Sequence, residues 1–86
     1  MTNEARMHSI IYWSAPIRVR VGNGFSETIF GPAAAVDYLK HRWPANHGTH
    51  YLTAMRACSE ALYRRESPDF ARELFVAAAI EGDMLA

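Results

Sequence analysis

Asp37-Tyr38-Leu39-Lys40-His41-Arg42-Trp43-Pro44 is the stretch whose reading decides how this chain folds. Val36, Leu39 and Trp43 recur at spacings of three and four, so they make one apolar stripe, while Asp37, Lys40 and His41 look outward. Gly31-Pro32 opens this first helix, because proline at a first helical turn loses no hydrogen bond, and Pro44 stops it. The spacing therefore predicts a helix over Pro32 to Trp43.

Downstream of it, Ala45-Asn46-His47-Gly48 is a loop, and Thr49 is a candidate N-cap for a second helix running to about Arg65. Tyr51, Met55, Cys58 and Leu62, with Ala54 and Ala61 beside them, would line its buried face. Ser67-Pro68 then gives an N-cap followed by proline at the first position, with Asp69 and Glu73 near the positive end of the helix dipole. This third helix is apolar over a wide arc through Phe70, Leu74, Phe75, Ala77, Ala78 and Ile80, its alanines permit close packing, and Gly82 suits its end.

Upstream of it, Ile17-Arg18-Val19-Arg20-Val21 alternates apolar and charged, the period of a half-buried strand. Gly22-Asn23-Gly24 reverses the chain and Phe25 to Phe30 returns. A two-residue loop would put Phe25 and Ile29 on the face of the arginines. A three-residue loop places Ile17 opposite Ile29 and leaves Arg18 and Arg20 with Ser26 and Thr28, with Glu27 as a misfit opposite Val19. Two strands alone leave open edges. The short run Ile10 to Trp13 is a candidate third strand, as is a strand from another chain.

Residues 1–8 carry no period and read as a disordered tail, which leaves Met1 or Met7 as the natural start. Residues 9–86 read as a single α+β domain, a hairpin, or three strands, packed on three helices in ββααα order. A chain of 86 residues buries only roughly 60–65% of the surface its unfolded form exposes, so its stability margin is thin. If the Trp43 ring is buried, Trp43→Ala should cost about 3–5 kcal/mol.

Composition removes several function classes. Fifty per cent hydrophobic and 21% charged residues is ordinary for a globular domain. Nine Lys and Arg balance nine Asp and Glu, which argues against a general nucleic-acid binder. The first 56 residues hold six basic and three acidic groups and the remainder the reverse, a bias too weak to name a partner. One cysteine, Cys58, excludes an internal disulfide, and no apolar run is long enough for a signal peptide or a membrane span. A reducing bacterial-type cytoplasm is the expected compartment.

No constellation amounts to an active site. His41, His47 and His50 lie close in sequence, but metal sites usually add cysteines at short spacing, so exposed loop histidines are the better reading. Asp37 and His41 share a helix face with no nucleophile beside them, and the helical position of Cys58 points inward as a packed thiol. Gly22-Asn23-Gly24 lacks the lysine and helix of a phosphate loop. Arg18 and Arg20 could grip phosphate or carboxylate beside Ser26 and Thr28, although a solvated sheet face explains them as well. Trp43, with Pro44, Tyr51 and Trp13, is either a core anchor or a recognition patch. Arg18, Arg20, Trp43, His47 and Tyr51 are therefore the candidate binding residues, with no catalytic residue, metal or cofactor.

Trp13 and Pro16 precede the strand, and Leu39 with Arg42-Trp43-Pro44, Tyr51, Ala57-Cys58 with Ala61-Leu62, and Ala71-Arg72, Phe75 and Ala77-Ala78-Ala79 follow it in that order. In this ordered set the chain resembles, from Trp13 onward, a family of short bacterial proteins known as domain of unknown function 982. The resemblance covers about residues 13–85 and implies a ββααα unit with no assigned activity. The expectation is a small non-enzymatic binding or interaction domain. Its partner would be a second copy, making a homodimer through the hairpin edge or an exposed apolar helix face, or an unknown protein. The alternative is a ligand- or nucleic-acid-associated regulator using Arg18 and Arg20.

Overall fold

A computed structural model describes residues 11–45 and 47–86. The tail expected at residues 1–8 and the first residue of the candidate strand, Ile10, lie outside the described residues. The element order is β1 (Ile17–Val19), β2 (Glu27–Ile29), α1 (Pro32–His41), α2 (His50–Leu62) and α3 (Pro68–Glu81). This is the α+β fold in ββααα order that the sequence predicts.

The hairpin has the three-residue-loop register. Ile17 faces Ile29, Arg18 faces Thr28 and Val19 faces Glu27 in an antiparallel pair. Gly22 supplies the left-handed residue of the reversal, with φ of 57°, and the Gly24 amide closes the turn on the Val21 carbonyl at 2.9 Å. Both strands are shorter than the alternation suggested, and Val21 and Phe25 beyond their ends are exposed. The Glu27 misfit is resolved by Arg42, whose guanidinium pairs with the Glu27 carboxylate from the end of α1.

The third strand position is filled from an unexpected place. Arg20 donates its amide to the Met84 carbonyl at 2.8 Å and Ala86 donates to the Arg18 carbonyl at 3.0 Å, with Leu85 bridging Val19. Residues 84–86 thus cover the outer edge of β1, and Met84 is fully buried beneath. Ile11 to Trp13 form no strand. They lie along the exit of β2, where the Trp13 amide donates to the Phe30 carbonyl at 2.8 Å. Gly31 is required there by space, since a Cβ on it would overlap the Ile11 carbonyl.

The core is one cluster that joins the inward strand residues Ile17, Val19 and Ile29 to the helices. Helix α2 packs chiefly on α3 through alanines, Ala54, Ala57 and Ala61 from one and Ala71, Ala78 and Ala79 from the other, all buried. Small side chains at these positions let the two helix axes approach closely. Phe75 fills the centre with no exposed surface, its ring 5.6 Å from Trp13 and 5.5 Å from Trp43. The Trp13 indole N–H is buried with no acceptor, a cost accepted to seat the ring there.

Two helix starts are held by groups far away in sequence. Thr49 precedes α2 as expected, yet its side chain does not cap. The cap is Glu81, at the end of α3, whose carboxylate accepts from the backbone amides of Thr49 and His50 at 3.2 and 2.8 Å, and from the Thr49 hydroxyl. These bonds, that from the His50 amide foremost, hold the Glu81 carboxyl below its ordinary range. At α3, Ser67 caps as expected by accepting from the Phe70 amide. Asp69 beside it accepts from the hydroxyl and amide of Ser14 at 2.6 and 3.1 Å, which lowers its carboxyl too. At the far end the left-handed residue is Asp83, φ 57°, and Gly82 keeps an ordinary φ of −89°. The Met84 amide reaches back to the Ala79 carbonyl, and this closure turns residues 84–86 onto the sheet.

Phe75→Ala should cost about 3–5 kcal/mol in chemical denaturation, whereas Phe25→Ala, at a residue 96% exposed, should stay within about 0.5 kcal/mol. Trp43 lies half-buried outside α1, which ends at His41, so Trp43→Ala should cost about half as much as Phe75→Ala. Because Asp69 and Glu81 are both lowered on folding, they stabilise the fold above their unfolded values of 3.8 and 4.5, and the stabilisation is lost as pH falls through the lower folded values. Thermal melts should show the wild type losing stability between about pH 5 and pH 3 more steeply than an Asp69→Asn, Glu81→Gln double variant.

Candidate functional site

The expected binding residues fall into two groups. Trp43, His47 and Tyr51 come together at the corner between α1 and α2. Tyr51 donates its hydroxyl to the Leu39 carbonyl at 2.8 Å, which ties the first turn of α2 to α1. Its ring lies 6.1 Å from Trp43, and Trp43 stands edge-on to Tyr38 at 6.1 Å. His47 stacks on the outer face of Tyr51 at 3.8 Å and 12°. Arg42 covers the other end, its guanidinium 5.2 Å from the Tyr38 ring centre.

This ladder of rings explains why Trp43 and Pro44 stand where they do. Trp43 anchors the corner by packing inward on Phe75, and only the His47 end is fully exposed. The corner is a structural joint with one open aromatic face. Arg18 on the solvent face of β1 and Arg20 just past its end lie elsewhere, and among the described residues no hydrogen bond or ring contact joins them to the corner. Arg18 reaches across the strand pair, donating from Nη2 to the Ser26 hydroxyl at 2.7 Å.

The groups weighed for chemistry stay apart. Among the described residues no set of three His, Cys, Asp or Glu side chains could hold a metal. His41 Nδ1 lies 3.1 Å from the Asp37 carboxylate on an exposed helix face. His50 Nδ1 lies 3.2 Å from Glu81 and belongs to the α2 cap. Cys58 is fully buried against the Ala71 carbonyl, and burial pushes its thiol up to about 12.

The feature with the shape of a binding surface is a groove of about 540 Å³ that sequence reasoning did not assemble. Its floor is Ala33 and Ala34 in the first turn of α1, and its walls include Tyr12, Phe30, Leu62 and Tyr63. Tyr12 is 68%, Phe30 50% and Tyr63 71% exposed, so three aromatic rings face solvent around one hollow. Ile11 links it to a second hollow of about 410 Å³ beside Arg64, Arg65 and Pro68. The Arg65 guanidinium lies 5.7 Å from the Tyr63 ring and 3.8 Å from the Glu60 carboxylate. A signal for Phe30 was present in the strand period, since Ser26, Thr28 and Phe30 alternate onto the outer face. No such signal existed for Tyr63, which lies just past the end of α2.

No described helix is long and apolar enough to cross a membrane. A search of curated proteins finds no match. Among solved structures the chain is similar to the NMR structure of Agrobacterium tumefaciens protein Atu1219, a Northeast Structural Genomics Consortium target. The two are 30% identical, with a TM-score of 0.74 over 88% of this chain and 76% of that one. The family model described as protein of unknown function (DUF982) matches residues 15–86. With that match running from the approach to β1 through residues 84–86, the chain belongs to the DUF982 family.

Proposed function

We propose that this protein is a small non-enzymatic interaction domain, acting in a reducing cytoplasm, whose partner seats in the groove between Tyr12, Phe30 and Tyr63. The observation that carries the proposal is the gathering of three exposed aromatic rings around an alanine-floored hollow. Exposed apolar surface costs a monomer solubility, and aromatic side chains concentrate at the centres of interfaces. A polypeptide partner, including a second copy of this chain, would bury these rings without disturbing the core, because none of the three is part of it. The zero formal charge leaves self-association unopposed by long-range repulsion.

The non-enzymatic part is supported by the state of the one thiol, since a buried cysteine pushed up to about 12 is a packed side chain and a poor nucleophile. Native protein should therefore react with a thiol reagent such as dithionitrobenzoate at pH 8 only as fast as it unfolds, and stoichiometrically once denatured. Rapid native labelling of Cys58 would contradict this.

The groove is tested by placing the photo-crosslinker p-benzoylphenylalanine at Ala34, on its floor, or at Thr53, an exposed position on α2. Irradiation in cells should give a discrete adduct from position 34 that Tyr63→Asp abolishes, and none from position 53. An adduct of twice the chain mass identifies a homodimer and another mass a different protein. Equal adducts from both positions, or none from position 34, would contradict the proposal.

A further inference from the structure

Among the described residues the hairpin is closed along β1 and open along β2 at Thr28. Arg18 gives its carbonyl to Ala86 and so turns its backbone away from β2. Thr28 is its cross-strand partner in an antiparallel pair, so its N–H and C=O turn away from β1 in the same manner. Phe30, two residues on, gives its carbonyl to Trp13. Among the described residues nothing takes the outward N–H and C=O of Thr28. The open edge is therefore short and centred on Thr28, and it ends where Trp13 takes over at Phe30.

The side chains beside this edge are of one character. Arg18 and Arg20 project on the solvent face with Ser26, Thr28 and Phe30, and that face of the two strands carries no acidic residue. Arg18 does not stand over its own strand. Its Nη2 is 2.7 Å from the hydroxyl of Ser26, the residue before β2, so the guanidinium reaches across the pair toward the open edge. Phe30 shares that face and also walls the groove.

We infer that the outer edge of β2 takes an extended acidic peptide segment as an added strand. Its backbone pairs with Thr28, a carboxylate side chain opposite Ser26 and Thr28 meets Arg18, and an apolar side chain at the Phe30 end packs on the exposed Phe30 and Tyr12 rings. Backbone pairing supplies affinity and the alternating side chains supply selectivity, as in other strand additions. The carboxylate selects for charge because a guanidinium binds it through two parallel hydrogen bonds. The inference rests on the interaction-domain proposal and names the chemistry of the partner that enters from the groove's Phe30 side.

The test is a titration of isotope-labelled full-length protein, followed by amide NMR, with a short blocked threonine-based peptide whose glutamate and valine, two residues apart, share one strand face, and with its counterpart carrying lysine in place of the glutamate. The glutamate peptide should shift the Thr28 amide and slow its hydrogen exchange at up to about 1 mM, with the lysine peptide at least roughly tenfold weaker. Arg18→Glu should reverse the preference, and Thr28→Pro, a substitution sheet edges tolerate, should abolish binding of both. Equal shifts from the two peptides would overturn the inference, as would Thr28 shifts that track protein concentration without peptide. Shifts confined to Tyr12, Ala34 and Tyr63 would overturn it while leaving the groove proposal standing.

Discussion

Phe75 is the side chain against which everything else in this fold is placed. It is fully buried on α3, with Trp13 from the approach to the hairpin on one side and Trp43 from the α1–α2 corner on the other. Three segments with no local reason to meet are thereby joined at one ring. Trp13 in turn holds the exit of β2 through its amide, and Trp43 holds Tyr51 and Tyr38. A hairpin of three-residue strands has almost no stability of its own. Its existence depends on this aromatic centre below and on residues 84–86 at its side.

The same constraint explains where the surface features lie. With Trp13 packed inward, the residue before it, Tyr12, faces out, and Gly31 lets the Ile11–Tyr12 backbone lie close over the start of α1. Phe30 faces out because the strand period puts Ile29 in the core. The groove is the space left between this segment and the ends of α1 and α2. It is a direct consequence of the packing around Phe75 and needs no separate design.

What was legible in the sequence was local. The period-two pattern and the Gly22-Asn23-Gly24 turn were enough to give the register of Ile17 with Ile29, because a one-residue slip would have inverted every side chain. Ser67-Pro68 and Pro32 marked two helix starts through chemistry that acts within four residues. The pairing of Trp43 with Tyr51 was legible because the two lie within nine residues of each other in the chain, whereas the stacking of His47 on Tyr51 was not. The parts that were not legible are long-range. Nothing near Thr49 announces that Glu81 caps α2, and nothing in Met84-Leu85-Ala86 reads as a strand when β1 is more than sixty residues away. The groove was missed for the same reason, since its walls come from residues 12, 30 and 63 and exist only after the helices pack.

The hairpin is thus sealed along β1 by its own chain and, among the described residues, open along β2 at Thr28, and native-state hydrogen exchange of the backbone amides tests that most directly. The account predicts strong protection of the Arg20 and Ala86 amides, which donate to Met84 and Arg18, together with fast exchange at Thr28. Protection of Thr28 in the protein alone, or fast exchange at Arg20 and Ala86, would contradict it.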